Sequence, residues 1–357
     1  MPSSTQHLSS PEPAVRTWPG FAAPLVLGLA AWLVGRQLPL LGGPVVGVLA
    51  GLVWGQFVGL RPGWAKGVGF CSRQVLQASV VLLGAGMSLQ QVAEIGAAGL
   101  PVMIGTVVVA VAVGLPLTRA LKVERETGLL VTYGTSICGA SAIATMSQVI
   151  GAQSSAVAVS VAVIVLYNVL AAVVFPYLGQ AMGLDHTSFG LWAGTAVNDT
   201  SSVVAASTAF DEQLLAAGIV ATGMTAASYA VVVKLTRTLM IVPLAVFQQW
   251  SSNRNRPAAE RTTTAWYRLV PTFLVLFLGA AGLRSLGVIP DAAGPAIRLL
   301  AGFGITVAMT AIGMNSSLSA IRAAGWRPLA LGAILWALVA VSSLVLQAVT
   351  GQLHTLG

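Results

Sequence analysis

Apolar stretches about the length of a membrane crossing follow one another almost without pause from residue 19 to residue 350. A hydrocarbon core of about 30 Å takes about 20 apolar residues per helix. Lipid offers no partner to backbone N–H and C=O groups, so a segment at that depth must satisfy its own hydrogen bonds as a helix. The spacing predicts eleven helical spans, at 19–35, 38–58, 68–89, 97–118, 127–150, 155–178, 187–209, 213–248, 266–288, 293–316 and 328–350. Only 8% of residues are charged, against about 25% in a soluble globular chain. That is too little polar surface to face water, so the expected fold is all-α and polytopic.

The net charge of +8 could suggest a nucleic-acid partner. The basic residues instead sit in short loops between spans, where they set orientation. With the N-terminus placed in the cytoplasm, thirteen of the eighteen lie inside: Arg16, Arg61, Lys66, Arg73, Arg119, Lys122, Arg125, Arg254, Arg256, Arg261, Arg268, Arg322 and Arg327. Arg36, Arg284 and Arg298 lie outside, and Lys234 and Arg237 fall within a span. The expected partners are therefore a lipid bilayer and a small solute, with no nucleic acid. Cys71 and Cys138 are far apart, and His7, His186 and His354 are scattered, so neither a disulfide framework nor a metal site is expected. No cofactor motif appears, including the phosphate-binding glycine loop of ATP-driven pumps. Residues 1–17 are polar and proline-bearing, without a basic start or cleavage pattern, and read as a disordered cytoplasmic tail. Residues 18–357 then form one transmembrane domain.

Two spans carry polar clusters at the depth where polar groups are most costly, and such groups commonly line a pathway. The first holds Ser136, Cys138, Gly139 and Ser141 within Gly-Thr-Ser-Ile-Cys-Gly-Ala-Ser. Its glycines favour a loosened helix whose freed N–H groups and positive dipole end would suit an anion. The second reads Asn198-Asp199-Thr200-Ser201-Ser202. A buried Asp199 suits a coupling-proton carrier, and an ionised one a cation ligand such as sodium or half of an ion pair. The competing reading makes it an interfacial loop in water. Lys234 and Arg237, three apart on one helical face, either bind an oxyanion and balance Asp199, or mark a span end and snorkel. Asn315, Ser316, Ser317, Ser88 and Gln90 end spans, as polar lining or as caps. Glu94, Asp211 and Glu212 are expected in solvated loops. The sequence 82–91 (LLGAGMSLQQ) echoes 309–318 (MTAIGMNSSL), and 128–145 aligns alternatively with 298–315. Either pairing suggests inverted repeats, approximately 38–178 and 187–350, as secondary transporters use to build a central site.

The set Gly-Met-Ser-Leu (86–89), Thr-Ser-Ile-Cys-Gly-Ala-Ser-Ala-Ile-Ala (135–144), Gly-Thr-Ala-Val-Asn-Asp-Thr-Ser-Ser-Val (194–203), Lys-Leu-Thr-Arg (234–237) and Gly-Met-Asn-Ser-Ser-Leu (313–318) closely resembles the YeiH family of bacterial inner-membrane proteins. These are described as sulfate exporters, by name and context more than by chemistry. The resemblance covers nearly the whole chain after about residue 20. It implies membership of the bile-acid symporter and sodium/proton antiporter superfamily, with two inverted repeats, a panel and a core domain, and crossed discontinuous helices. Carried onto this chain, the crossover candidates are Ser136–Ser141 and the Gly313–Ser317 region.

The combined expectation is a secondary-active transporter, not an enzyme, that exports a small anion such as sulfate or an organosulfonate by alternating access. The substrate would meet Ser136, Cys138, Gly139, Ser141, Asn198, Thr200, Ser201, Lys234, Arg237 and Asn315, with Asp199 handling a coupling proton or sodium. A cation/proton antiporter using Asp199 is the rival within the class. An intramembrane enzyme lacks a histidine in any span, and a non-transporting sensor or scaffold leaves the polar clusters without a purpose. Whether a second copy of the chain is a partner stays open.

Overall fold

The computed structural model describes residues 18–38, 42–61, 63–221, 223–253, 272–316 and 318–356. The expected N-terminal tail and the basic stretch 254–271 lie outside the described residues, as does Ser317. Helices account for nearly all of the rest, and among the described residues there is no strand, only an isolated bridge between Leu184 and Thr355. Seven helical segments are long and apolar enough to cross a membrane. The chain is a polytopic helical membrane protein.

The helices form two packed groups. The first contains α1 (Pro19–Gln37), α2 (Gly43–Phe57), α3 (Trp64–Phe70) running through a π-helical turn (Cys71–Val75) into α4 (Leu76–Ala85), and later α13 (Thr272–Ser285) and α14 (Gly294–Asn315). α2 lies along α14 at very close range. A Cβ on Gly51 would sit 2.1 Å from Thr310 O, and one on Gly313 would sit 2.3 Å from Val48 O. The second group contains α5 (Leu89–Ala120), α6 (Arg125–Ser136), α7 (Ala140–Ile150), α8 (Ser154–Ala181), α9 (His186–Ala196), α10 (Thr200–Ala216), α11 (Ala226–Leu239), α12 (Ile241–Asn253) and α16 (Trp326–Val349). The short α15 (Leu318–Ala323) leads into α16 and packs on α8.

The described parts of the expected apolar stretches are largely helical, except that 213–248 is not one span: α10 ends at Ala216, where Gly218 (φ +80°) turns the chain, and α11 starts at Ala226. Two other stretches turn back on themselves. In α6–α7, Glu126 at the start of the first arm accepts a 2.8 Å hydrogen bond from Gln153 N–H, just past the second. Gly134 lies against Ile143. In α9–α10, Phe189 stacks on Phe210 with centroids 3.8 Å apart, and His186 Nδ1 donates to Asp211 Oδ1 at 2.7 Å. Segments 127–150 and 187–209, expected as crossings, are therefore re-entrant hairpins, here hairpin 1 and hairpin 2. The reason is helix length. α6 and α9 have 12 and 11 residues, about 18 Å at 1.5 Å per residue, which reaches only partway across a bilayer.

The hairpins enter from opposite ends of the bundle, because the 28-residue α8 separates them. The base of hairpin 1 shares its end with the α2–α3 and α14–α16 connections, as the contacts of Gly20 with Trp64, Gly55 with Met314 and α15 with α8 show. The base of hairpin 2 shares the other end with the C-terminal residues. There Asp185 N–H donates to His354 O, and Leu356 N–H to Gly183 O. Arg61, Lys66, Arg119, Lys122, Arg125, Arg322 and Arg327 gather at the first end, and Arg36, Arg284 and Arg298 at the second. Arg73 sits exposed partway along the α3–α4 segment.

Candidate site at the hairpin tips

The two polar clusters, sixty residues apart in sequence, meet. Gly139 at the tip of hairpin 1 lies against Asp199 at the tip of hairpin 2, and a Cβ on Gly139 would stand 3.5 Å from Asp199 Cβ and 3.6 Å from Asn168 Nδ2. Asn168, in the middle of α8, accepts from Asp199 N–H at 3.2 Å. The tips thus lie at half height in the bundle.

Local sequence explains each tip. Gly139 has φ +70° and ψ −128°, a conformation that essentially only glycine adopts without strain. Its N–H returns to Gly134 O at 2.9 Å, which closes α6. The Ser141 hydroxyl donates to Cys138 O and lies 3.0 Å from Cys138 Sγ. At the other tip Asp199 is the N-cap of α10. Its carboxylate accepts from Ser201 N–H at 3.1 Å and from the Ser201 hydroxyl.

α11 brings two cations to this junction. Gly190 lies on Ala226 and Tyr229, and Gly194 on Ala230 and Val233, so α9 and α11 run parallel at close range, with α9 contributing no side chain at these two positions. The same register, continued one turn, sets Val197 and Asn198 opposite Lys234 and Arg237. Lys234 Nζ donates to Val197 O at 2.8 Å and to Ile137 O at 2.9 Å, one carbonyl from each tip. Lys234 and Arg237 are fully buried and neither snorkels. Lys234 lies within electrostatic range of Cys138, Asp199 and Arg237, and Cys138 within range of Asp199 and Arg237. Among the described residues, Nε, Nη1 and Nη2 of Arg237 have no hydrogen-bond partner, and neither do Oδ1 and Nδ2 of the buried Asn198. Native interiors rarely leave such groups unpaired, and a planar guanidinium fork fits an oxyanion.

This chain shows strong similarity to a set of curated bacterial sequences. The profile of a family described as "Conserved hypothetical protein 698" matches residues 19–332. A UPF0324 membrane protein of Streptococcus agalactiae is 36% identical over 337 residues, covering 93% of this chain and 97% of the relative. Another from Fusobacterium nucleatum is 35% identical over 345 residues, covering 91% and 96%. The chain belongs to the UPF0324 family. This is the family that the five motifs indicate under the name YeiH.

In this UPF0324 protein the junction gathers Cys138, Gly139, Asn198, Asp199, Ser201, Lys234 and Arg237, with Thr200 half-buried beside them. Ser136 is buried one turn back and spends its hydroxyl on Thr132 O at 2.6 Å. Ser141 follows the tip of hairpin 1 on the exposed flank of α7. Asn315 is not brought here: it is the exposed last residue of α14, in the other helix group. The second helix break also differs from the one the resemblance suggested. α14 runs unbroken through Gly313, which serves close packing on α2, and the interruption falls at 197–199.

Two acids expected in solvent have structural work in this protein. Asp211 accepts from Ala226 N–H and Ala227 N–H at 2.8 and 2.9 Å, and Glu212 from Gly43 N–H at 2.9 Å. They satisfy the free amides at the starts of α11 and α2. Glu94 is exposed, as expected, with Gln90 donating to it. Asn168 escaped the sequence reading. A lone amide in the middle of a 28-residue apolar helix was its available signal.

Proposed function

We propose that this UPF0324 protein is a secondary-active transporter of a small anion, with the substrate bound where the hairpin tips meet α11. The observation that carries the reading is Arg237, a buried guanidinium whose three nitrogens have no partner among the described residues, one turn from Lys234, together with the unpaired, buried Asn198 amide. Formal charges point the same way. Two cations against one carboxylate leave +1, which an anion neutralises. A guanidinium fork with an amide beside it suits a tetrahedral oxyanion, so sulfate or an organosulfonate is the favoured cargo.

The junction lies within the second helix group, and alternating access would move that group against the first of the two helix groups. A crevice of ≈ 560 Å³ opens between them at the hairpin 2 end, lined by Trp32, Arg36, His186, Thr208 and Glu212 among others. Rocking of one group on the other would expose the junction to each side in turn. The basic ends of the helices support a plasma-membrane orientation with the hairpin 1 end and the N-terminus in the cytoplasm. Asp199 is the candidate proton carrier. The rival cation/proton antiporter is disfavoured because Asp199 already caps α10 and faces Lys234.

The test is uptake of labelled sulfate and a panel of sulfonates into proteoliposomes under an imposed proton or sodium gradient. Arg237→Gln is expected to weaken anion binding about 100-fold, the scale of losing charge-assisted hydrogen bonds. Asp199→Asn keeps a capping side chain and is expected to fold while losing coupled flux. Wild-type affinity in the Arg237 variant would remove the site from this place.

A further inference from the structure

The position of Lys234 has a consequence for the driving ion. α6 and α9 both end at the junction, and their last carbonyls are partnerless acceptors at the negative ends of two helix dipoles. Ile137 (φ −122°, ψ −89°) and Val197 (φ −88°, ψ 132°) have left helical geometry, and both carbonyls accept from Nζ. Asp199 adds a carboxylate, and Asn168 an amide oxygen on the Asp199 N–H. Two backbone carbonyls, a carboxylate and nearby amide oxygens form the donor set that a hard monovalent cation takes. In this chain Lys234 Nζ, fully buried on a four-carbon stem anchored in α11, takes the two carbonyls of that set, with the Asp199 carboxylate near it.

We propose that Lys234 is the built-in cation of the hairpin junction, standing where a dissolved monovalent cation would otherwise bind, so that the anion site assembles without sodium. The inference deepens the anion-transport reading and names its coupling: sodium has no role, and a driving ion, where there is one, is the proton. The Gly190 and Gly194 contacts are part of the device, because they bring α11 close enough for Nζ to reach both carbonyls.

The experiment measures thermal unfolding of the purified full chain, and anion flux in proteoliposomes, with sodium, potassium, ammonium, methylammonium or choline chloride at one ionic strength. Wild type is expected to show the same Tm in all five and the same flux in sodium, potassium and choline. Ammonium and methylammonium serve the Tm arm alone, because their free amines cross the bilayer and collapse a proton gradient. Lys234→Ala opens space at the junction and leaves the carbonyls unpaired. Its Tm is expected to fall by many degrees in choline and to recover by several degrees with ammonium, methylammonium or sodium, as mass action requires of a ligand that binds only the folded state. Lys234→Met fills the same space with an apolar chain and is expected to show no such recovery. A sodium-dependent Tm or flux in wild type would overturn the proposal, and so would a Lys234→Ala protein unchanged in Tm or equally stable in choline and sodium. If Lys234→Ala does not fold, the wild-type comparison still decides. The two readings fail separately. Cation rescue without flux of any anion removes the transport reading alone, whereas sodium-driven flux removes only the built-in cation.

Discussion

Hairpin 2 is held on every side, whereas hairpin 1 leaves one flank of its second arm exposed. All of α9 from Ser188 to Ala196 is buried. Trp192 Nε1 donates to Ala340 O on α16 at 3.0 Å, and Thr195 and Ser343 share a hydrogen bond of 2.6 Å. The C-terminal residues tie down its base, where Ser188 Oγ donates to Gln352 O and accepts from His354 N–H. Hairpin 1 has a buried first arm, but Ala140, Ser141, Ala144 and Gln148 on α7 are exposed. The N-cap of α7 is a glycine with no capping side chain, in contrast to Asp199 on α10. Two tips with similar chemistry thus have unequal support. Elements with few buried contacts open at lower free-energy cost, so hairpin 1 is the arm suited to move and hairpin 2 the arm suited to stay.

Hydrogen exchange tests this difference most directly. Amides of α7 are expected to exchange at least about 10-fold faster than those of α9, a gap of about 1.4 kcal/mol in local opening. Equal protection would remove the distinction between the arms. Gly194→Ala should come next in size. Its methyl would stand 2.7 Å from Val233 and 2.9 Å from Ala230 O, and such overpacking costs about 1–3 kcal/mol. Thermal unfolding reads the loss, and an unchanged Tm would mean that α9 is free to slide on α11. Gly139→Ala places a side chain on a positive-φ residue at the looser tip, for about 1–2 kcal/mol. The expected signature is a smaller drop in Tm than for Gly194→Ala, with a larger loss of flux. Ser343→Ala should have the smallest effect, about 1 kcal/mol, because Thr195 keeps its bonds to Leu191 O and Trp192 O, while the buried Gln347 amide loses its bond to Ser343 Oγ. A larger loss by thermal unfolding would show that α16 contributes more to clamping hairpin 2 than that single contact suggests.

Much of the site was legible in the sequence because membrane interiors penalise polar side chains. Ser-Ile-Cys-Gly-Ala-Ser, Asn-Asp-Thr-Ser-Ser and the Lys234–Arg237 pair stand out against apolar neighbours, and all three groups contribute to the junction. Asn315 stood out by the same rule, yet a polar residue at a helix end and one at half height look alike in composition. Asp211 and Glu212 were misjudged for a related reason. Their partners are backbone amides at Ala226, Ala227 and Gly43, and backbone groups leave no mark in a residue pattern.

The sequence by itself determined that this chain is a bundle of helices in lipid, roughly where its apolar stretches lie, and which loops are basic. Hydropathy and charge are local properties, summed over some twenty residues, and need no partner to be read. Only the tertiary structure decided that segments 127–150 and 187–209 double back and that Cys138 and Asp199 share one junction. It also decided that Lys234 closes two helix ends at once. A re-entrant hairpin and a crossing helix can both read as one apolar stretch of about twenty residues. What separates them is the set of neighbours that covers the exposed ends, here Asn168, Lys234 and the glycine face of α9, and those come from distant parts of the chain.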